Sequence, residues 1–335
     1  MSLDRVIANL PKDILFPDLV NFGYWNVKDS GSNDTQQALE IIANVISGYS
    51  NPLLGKPRFN LFDAFALVEI VGKKWYDDFF KVLEQKGIPY NEIHLYSGDK
   101  QGYMIAEYYT LFFNPKRTKI IDYQLYPDKK DDFTRPPMLV YLESGKHPLR
   151  WKGTLIIFHA SASEKAKKQL KVLASNVIEY AKKKYENPNV VIMADLNLVP
   201  PYIDLRNREI KFSMREPVDF PGNSYDTTVF GKTGPEGAID HIIWDAQETT
   251  AWNYEVGSFG LPALQELWGK INPQVYNKRM LQVSDHWPLF ISFCQQNLFK
   301  KYPYYADDIA NFLREQYAYL RGIKPLKLPS LYNFY

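Results

Sequence analysis

Apolar residues in this chain gather in short runs separated by polar turns, and two periodicities distinguish strands from helices. Leu19 to Val27 predicts a strand, followed by a polar loop from Lys28 to Asn33. Asp34 suits the N-cap of a helix from about Thr35 to Ser47, with Ala38, Leu39, Ile42, Val45 and Ile46 on its apolar side. Ala64 to Ile70 predicts a buried strand, and Trp75 to Lys86 a helix stopped by Gly87. The rhythm then changes. Tyr103 to Asn114, Lys119 to Tyr126 and Met138 to Leu142 predict an antiparallel meander, turned by segments such as Asn114-Pro115-Lys116. Gly153 to His159 is a further strand, Glu164 to Glu186 one long Lys-rich amphipathic helix, and Val190 to Ala194 the strand after it. Thr227 to Phe230, Ile239 to Trp244 and Leu289 to Cys294 complete the strands. Many strands with few helices predict two sheets packed face to face, with helices outside.

No change of composition and no repeat divides residues 19–296, so one domain is expected there. Residues 1–18 are expected to form an N-terminal arm and residues 297–335, rich in Tyr and Lys, a C-terminal helical extension. The net charge of +2 argues against gripping nucleic acid by bulk charge, yet leaves room for a local basic patch. The lysines of the long helix (165, 167, 168, 182, 183 and 184) are expected on a solvated face. Cys294 is the only cysteine, which rules out an intrachain disulfide and a Cys-rich zinc site. No apolar run is long enough to span a membrane. Met1 to Arg5 does not read as a signal peptide; together these lean to the cytoplasm, with secretion open if the natural start lies further upstream. Nothing in the sequence calls for an obligate protein partner.

Chemistry gathers where apolar runs end. Phe158-His159-Ala160-Ser161, Ala194-Asp195-Leu196-Asn197 and Ile239-Asp240-His241 each close such a run, and Ser284-Asp285-His286-Trp287-Pro288 opens one. Polar groups at strand ends sit on a rigid sheet with loops beyond them. Each has a plain structural reading when taken singly. Asp-x-Asn after a strand is commonly a self-capping turn, and Glu69 before a helix is a favourable N-terminal carboxylate. His94, His147 and His241 are expected to be surface or structural, His241 alternating to the strand face opposite Asp240.

In this order the motifs resemble the endonuclease/exonuclease/phosphatase superfamily, and within it the DNase I branch. Asn26 matches the Asn ending its first strand, and Glu69 the Glu ending a buried strand before a helix. Glu107 matches a second Glu on a strand leading to an Asn-Pro turn. His159-Ala160-Ser161, Asp195-Leu196-Asn197, Asp226-Thr227-Thr228, Asp240 and Ser284-Asp285-His286 follow in the family's sequence of motifs. The resemblance covers residues 19–296 and implies an α/β (α+β) fold: a DNase I-like, four-layer sandwich of two packed mixed β-sheets flanked by helices.

It also implies metal-dependent hydrolysis of a phosphodiester. Carboxylates and an amide without cysteine suit a hard cation, Mg²⁺ first, with Mn²⁺ or Ca²⁺ as alternatives. Glu69 would be the main ligand, assisted by Asn26 and Asp285. By the same resemblance His286 with Asp240 would orient or deprotonate water, and His159 with Glu107 would serve the phosphate or the leaving oxygen. Asp195 and Asn197 would stand on the phosphate side, with Arg135, Thr227 and Thr228 as substrate contacts. The departures concern substrate. Val71 stands where DNase I proteins place a minor-groove Arg, and Ile105 where they place a sugar-stacking Tyr. The family's disulfides are absent too. DNA is the leading substrate. Phosphoinositide or sphingomyelin-type lipids are the alternative, for which the Trp252 to Trp268 region is the candidate membrane loop. A binding module without catalysis is the third reading, disfavoured by the intact set of Glu69, His159, Asp195, Asn197, Asp240 and His286.

Overall fold

The strands sort into two mixed sheets whose polar ends meet at one edge. The structure is a computed structural model and describes residues 20–31, 35–46, 62–98, 107–145, 150–162, 164–198, 229–231, 234–237, 239–244, 251–258, 283–286 and 288–295. The expected arm, the C-terminal extension, Asp34, His147, Thr227, Thr228 and residues 259–268 lie outside these.

The first sheet contains β1 (Val20–Gly31), β2 (Ala64–Val71), β3 (Asn91–Tyr96), β4 (Glu107–Phe113), β12 (Ala251–Ser258) and β13 (Leu289–Gln295), in the order β12-β13-β1-β2-β4-β3. The second contains β5 (Thr118–Leu125), β6 (Met138–Ser144), β7 (Trp151–His159), β8 (Val190–Asp195) and β11 (Asp240–Trp244), in the order β11-β8-β7-β6-β5. A small hairpin, β9 (Val229–Gly231) and β10 (Gly234–Gly237), stands apart. Each sheet has one parallel pair, β1 with β2 and β7 with β8; its other pairs are antiparallel.

Helices cover both outer faces. Helix α1 (Gln36–Ile46) buries Ala38, Leu39, Ile42, Val45 and Ile46 with α2 (Lys73–Gln85) against Trp25, Phe65, Leu67 and Phe112. On the other side α3 (Glu164–Val172) and α4 (Ile178–Tyr185) lay Leu170, Ile178 and Ala181 on Ile156, Phe158 and Ile192. Between the sheets Phe22, Tyr24, Val68, Leu111, Val140, Ile157 and Met193 form a third apolar layer. Helix, sheet, sheet, helix is therefore the observed order of layers. No helix among the described residues is long and apolar enough to cross a membrane.

Four expectations need correction. The segment after Val27 is not a loop: β1 continues to Gly31 through an irregularity in its pairing with β2. The long helix is interrupted by a π-helical turn, Leu173–Val177, which keeps Leu173, Ala174 and Val177 on the buried side. Strands β3, β10 and β12 were not legible. Most important, β4 and β5 do not pair. The Asn114-Pro115-Lys116 turn carries the chain from the first sheet to the second, and only β5, β6 and β7 form the meander. Buried polar groups hold that crossing. Asp63 accepts from Arg117 Nε at 2.5 Å and from the Asn21 N–H at 2.7 Å. Thr118 Oγ1 donates to the Asp63 carbonyl at 2.8 Å and lies 2.8 Å from Ser144 Oγ.

Candidate active site

Register alone aligns the second sheet's contribution. His159 pairs with Asp195 across β7 and β8, and Asp195 with Asp240 across β8 and β11. Ile157, Met193 and Ile242, two places away on each strand, face the inter-sheet core. By alternation His159, Asp195 and Asp240 face the first sheet as a row. There Asn26 shares the parity of Phe22 and Tyr24, and Glu107 that of Tyr109.

Glu69 does not follow parity. Alternation from Leu67 would turn it to the helix side, yet Ile70 takes that side instead. Glu69 has a left-handed backbone, φ 60°, and the pairing of β2 with both neighbours skips a place around it. This bulge turns the carboxylate inward, at a strain of about 1–3 kcal/mol.

The side chains meet closely. Asn26 Nδ2 donates to Glu69 Oε1 at 2.8 Å and to Asp195 Oδ2 at 3.0 Å, while its Oδ1 accepts the Lys28 N–H at 2.9 Å. The amide thus presents N–H groups to the carboxylates. To act as an oxygen ligand it would have to turn over and give up the Lys28 contact. His159 Nε2 stands 3.2 Å from Glu69 Oε1 and 3.9 Å from Asp195 Oδ2, and its Nδ1 3.3 Å from Glu107 Oε2. Arg135 Nη1 donates to Glu107 Oε1 at 2.6 Å, and Nη2 to the Ala160 carbonyl at 3.4 Å. Asn197 Nδ2 donates to the same carbonyl at 2.9 Å, and its N–H to Asp195 Oδ1 at 2.8 Å. His286 Nδ1 stands 2.8 Å from Asp240 Oδ2, and its Nε2 3.7 Å from Asp285 Oδ1. Asp285 also pairs with Lys28 at the rim.

Thus the two expected imidazole–carboxylate pairs meet, and Asn26, Glu69, Asp195 and Asn197 join them. Arg135 is inside the site, engaged by Glu107. Asp285 lies at its edge. Ser161 turns away to Thr134 and Gln169. His241 is structural, its Nε2 3.0 Å from the Leu198 carbonyl, and His94 is half-exposed, stacked on Tyr76. Sequence reasoning assigned no role to Ser284, Trp25, Tyr24 or Tyr109. Ser284 Oγ donates to the Asn26 carbonyl at 2.7 Å and accepts the His286 N–H at 2.9 Å; Trp25 Nε1 donates to the His286 carbonyl at 2.8 Å. These contacts dock the His286 segment on β1. Tyr24 and Tyr109 stand two places from Asn26 and Glu107, on the same strand faces; that spacing is the signal that could have found them.

Negative charge is in excess here. Burial, then the neighbouring Asp240, pushes the Asp195 carboxyl above its usual range. Burial pulls His286 down, but Asp240, Asp195 and Asp285 outweigh it and hold the imidazole up to about 9. His159 is also raised: burial opposes its charge, while the Glu107 hydrogen bond and the nearby Asp195 and Glu69 favour it. Glu107 is pushed up by burial and down, more strongly, by His159 and Arg135. Glu69, His159 and Asp195 present ligand atoms within 4.8 Å of one another, and so do Asp195, Asp240 and His286. Oxygen-rich donor groups with uncompensated charge fit a hard divalent cation.

The sequence matches the endonuclease/exonuclease/phosphatase family over residues 23–286, and the chain belongs to that family of phosphoester hydrolases. No match to the sequence was found among curated proteins. Among solved structures, an endonuclease/exonuclease/phosphatase family protein from Bacteroides thetaiotaomicron has 13% identity and a TM-score of 0.54, covering 84% of this chain and 99% of that one. D. rerio TDP2 complexed with single strand DNA product has 14% identity and a TM-score of 0.52, over 82% of this chain and 98% of that one. A mannosyl-6-phosphatase of Bacteroides thetaiotaomicron has 13% identity and a TM-score of 0.53, over 82% and 99%. At these identities the likeness is one of fold, and the fold is DNase I-like.

Proposed function

We propose that this chain is a metal-dependent phosphodiesterase that hydrolyses DNA. The observation that carries the reading is the pair of imidazole–carboxylate couples, His286 with Asp240 and His159 with Glu107, flanking the shared carboxylate Asp195. A divalent cation held by Glu69 and Asp195 would stabilise charge on the phosphoryl oxygens. Asn26 orients both carboxylates through its amide N–H groups. Asp240 fixes the His286 ring by its Nδ1, leaving Nε2 for a water molecule. The metal-free surroundings hold a proton on His286 at neutral pH, and positive charge brought among the carboxylates works against that proton. His159, backed by Glu107, serves the phosphate or leaving oxygen, and Asn197 stands on the phosphate side. Arg135, the Asp226-Thr227-Thr228 motif and the fold shared with a DNA-bound TDP2 support DNA as substrate.

One observation favours a second reading, a phosphatase or phosphodiesterase acting on small or lipid phosphoesters. Val71 is half-buried at the site end of β2, opposite Glu107, so an apolar side chain stands where duplex-gripping relatives place a cation. Plasmid nicking separates the two. With Mg²⁺ or Mn²⁺ the protein should nick, and EDTA or His286→Ala should abolish it. No nicking with any metal removes DNA and leaves phosphorylated lipids and small phosphoesters to be tested.

A further inference from the structure

Two tyrosines that take no part in the proposed chemistry reach across the inter-sheet core to the site. Tyr24 on β1 and Tyr109 on β4 are buried in the apolar layer between the sheets. Tyr24 Oη accepts the backbone N–H of Asp195 at 2.7 Å, and Tyr109 Oη accepts that of His159 at 3.3 Å. Tyr109 also donates to the Arg135 carbonyl at 3.4 Å. Each hydroxyl therefore begins on the sheet that carries Asn26, Glu69 and Glu107. Each ends on the backbone of a site residue in the other sheet.

A phenylalanine would fill the same volume without burying a hydroxyl, which costs free energy unless it is hydrogen-bonded. Packing alone does not require these oxygens. Apolar contact between the sheets is non-directional, whereas a hydrogen bond sets a separation to within a few tenths of an ångström. That precision matters because Glu69 comes from one sheet and His159 and Asp195 from the other. A small hard cation accepts little variation in ligand distance. The two bridges also land on adjacent strands at paired positions, so together they resist both sliding and tilting.

We infer that Tyr24 and Tyr109 are positioning residues that hold the two sheets at the separation at which Glu69 and Asp195 can share one cation. The inference rests on the metal-dependent reading above. Tyr90 provides the control. It is buried too, and its hydroxyl donates to the carbonyls of Ile46 at 2.7 Å and Phe62 at 2.9 Å, away from the site.

The experiment is a calorimetric titration of the metal-free full chain with Mn²⁺, with thermal melts in parallel, for wild type, Tyr24→Phe, Tyr109→Phe and Tyr90→Phe. Tyr24→Phe and Tyr109→Phe should each weaken Mn²⁺ binding by about tenfold or more, the usual effect of removing an outer-shell partner. Tyr90→Phe should lower the melting temperature and leave affinity within about twofold, as expected for a distant site. Unchanged affinity in either tyrosine variant overturns the inference while leaving the metal-dependent reading intact. An equal loss in Tyr90→Phe also overturns it, because affinity would then track stability rather than position. Wild type that binds no Mn²⁺ sinks the metal-dependent reading and the inference with it.

Discussion

The two ends of the sandwich both bury charge, and they do so differently. At the end where the chain crosses between sheets, Asp63 is matched by the Arg117 guanidinium, the Asn21 N–H and a surrounding set of hydroxyls. Charge is matched one for one and donors meet acceptors, while burial still pushes the Asp63 carboxyl above its usual range. At the other end Glu69, Glu107, Asp195, Asp240 and Asp285 converge on two imidazoles, Arg135 and Lys28. A buried ion pair with complete hydrogen bonding holds a topology. Carboxylates without enough positive charge raise the free energy of the folded chain, and such an arrangement is the mark of a site built for something else. The same physical ingredient is matched by a partner at one end and left in excess at the other, and that excess is what the proposed cation would answer.

Substitution should separate the ends most sharply. His159→Ala and His286→Ala should each lower turnover by about a thousandfold or more in a chain that still folds, as for loss of a general acid or base. Near-normal steady-state rates in either variant would reject the mechanism. Asp63→Ala should do the reverse, destabilising by about 3–5 kcal/mol because a buried charge pair loses one of its members. Its folded fraction should turn over normally; a denaturation midpoint equal to wild type would refute the structural role.

pH should read the charge excess directly. The folded chain holds His286 above the ordinary imidazole range, up to about 9. A raised value stabilises fully below about pH 6.5, and that contribution is lost as pH rises through about 9. Denaturation in EDTA should show metal-free stability falling across this window by on the order of 2–3 kcal/mol, with His286→Asn flattening the fall. A flat wild-type profile would count against the excess. Smallest in energy, Asp195→Asn should stabilise the metal-free protein by about 1 kcal/mol while removing activity, a trade typical of strained sites. If that variant melts lower than wild type, Asp195 belongs with Asp63 as a structural group.

Much of the site was legible before the structure. The strand-end motifs named His159, Asp195, Asp240 and His286, and the family resemblance implied which carboxylate stands beside each imidazole. The Glu69 bulge was not legible, because alternation from Leu67 points that carboxylate to the wrong side and a left-handed residue resets it. The Asn26 amide, expected to offer its oxygen, is held with N–H groups inward by the backbone of Lys28. Strand β3 escaped notice because, among the described residues, it pairs on one side only, and Ile93 and Leu95 are its side chains that pack partly against the core between the sheets.

By itself the sequence determined what depends on neighbours along the chain. It set which segments are strands and helices, which faces are apolar and which polar residues stand at strand ends, because propensity and periodicity are local. Tertiary structure alone decided which sheet each strand joins, since β4 and β5 both turn apolar residues to the layer between the sheets and yet part at the crossing held by the Asp63 cluster. It also decided how far the two sheets stand from each other at the site, where hydrogen bonds between residues 171 and 50 positions apart in the chain set the spacing. Such distances depend on the packing of both sheets at once, and no local pattern records them.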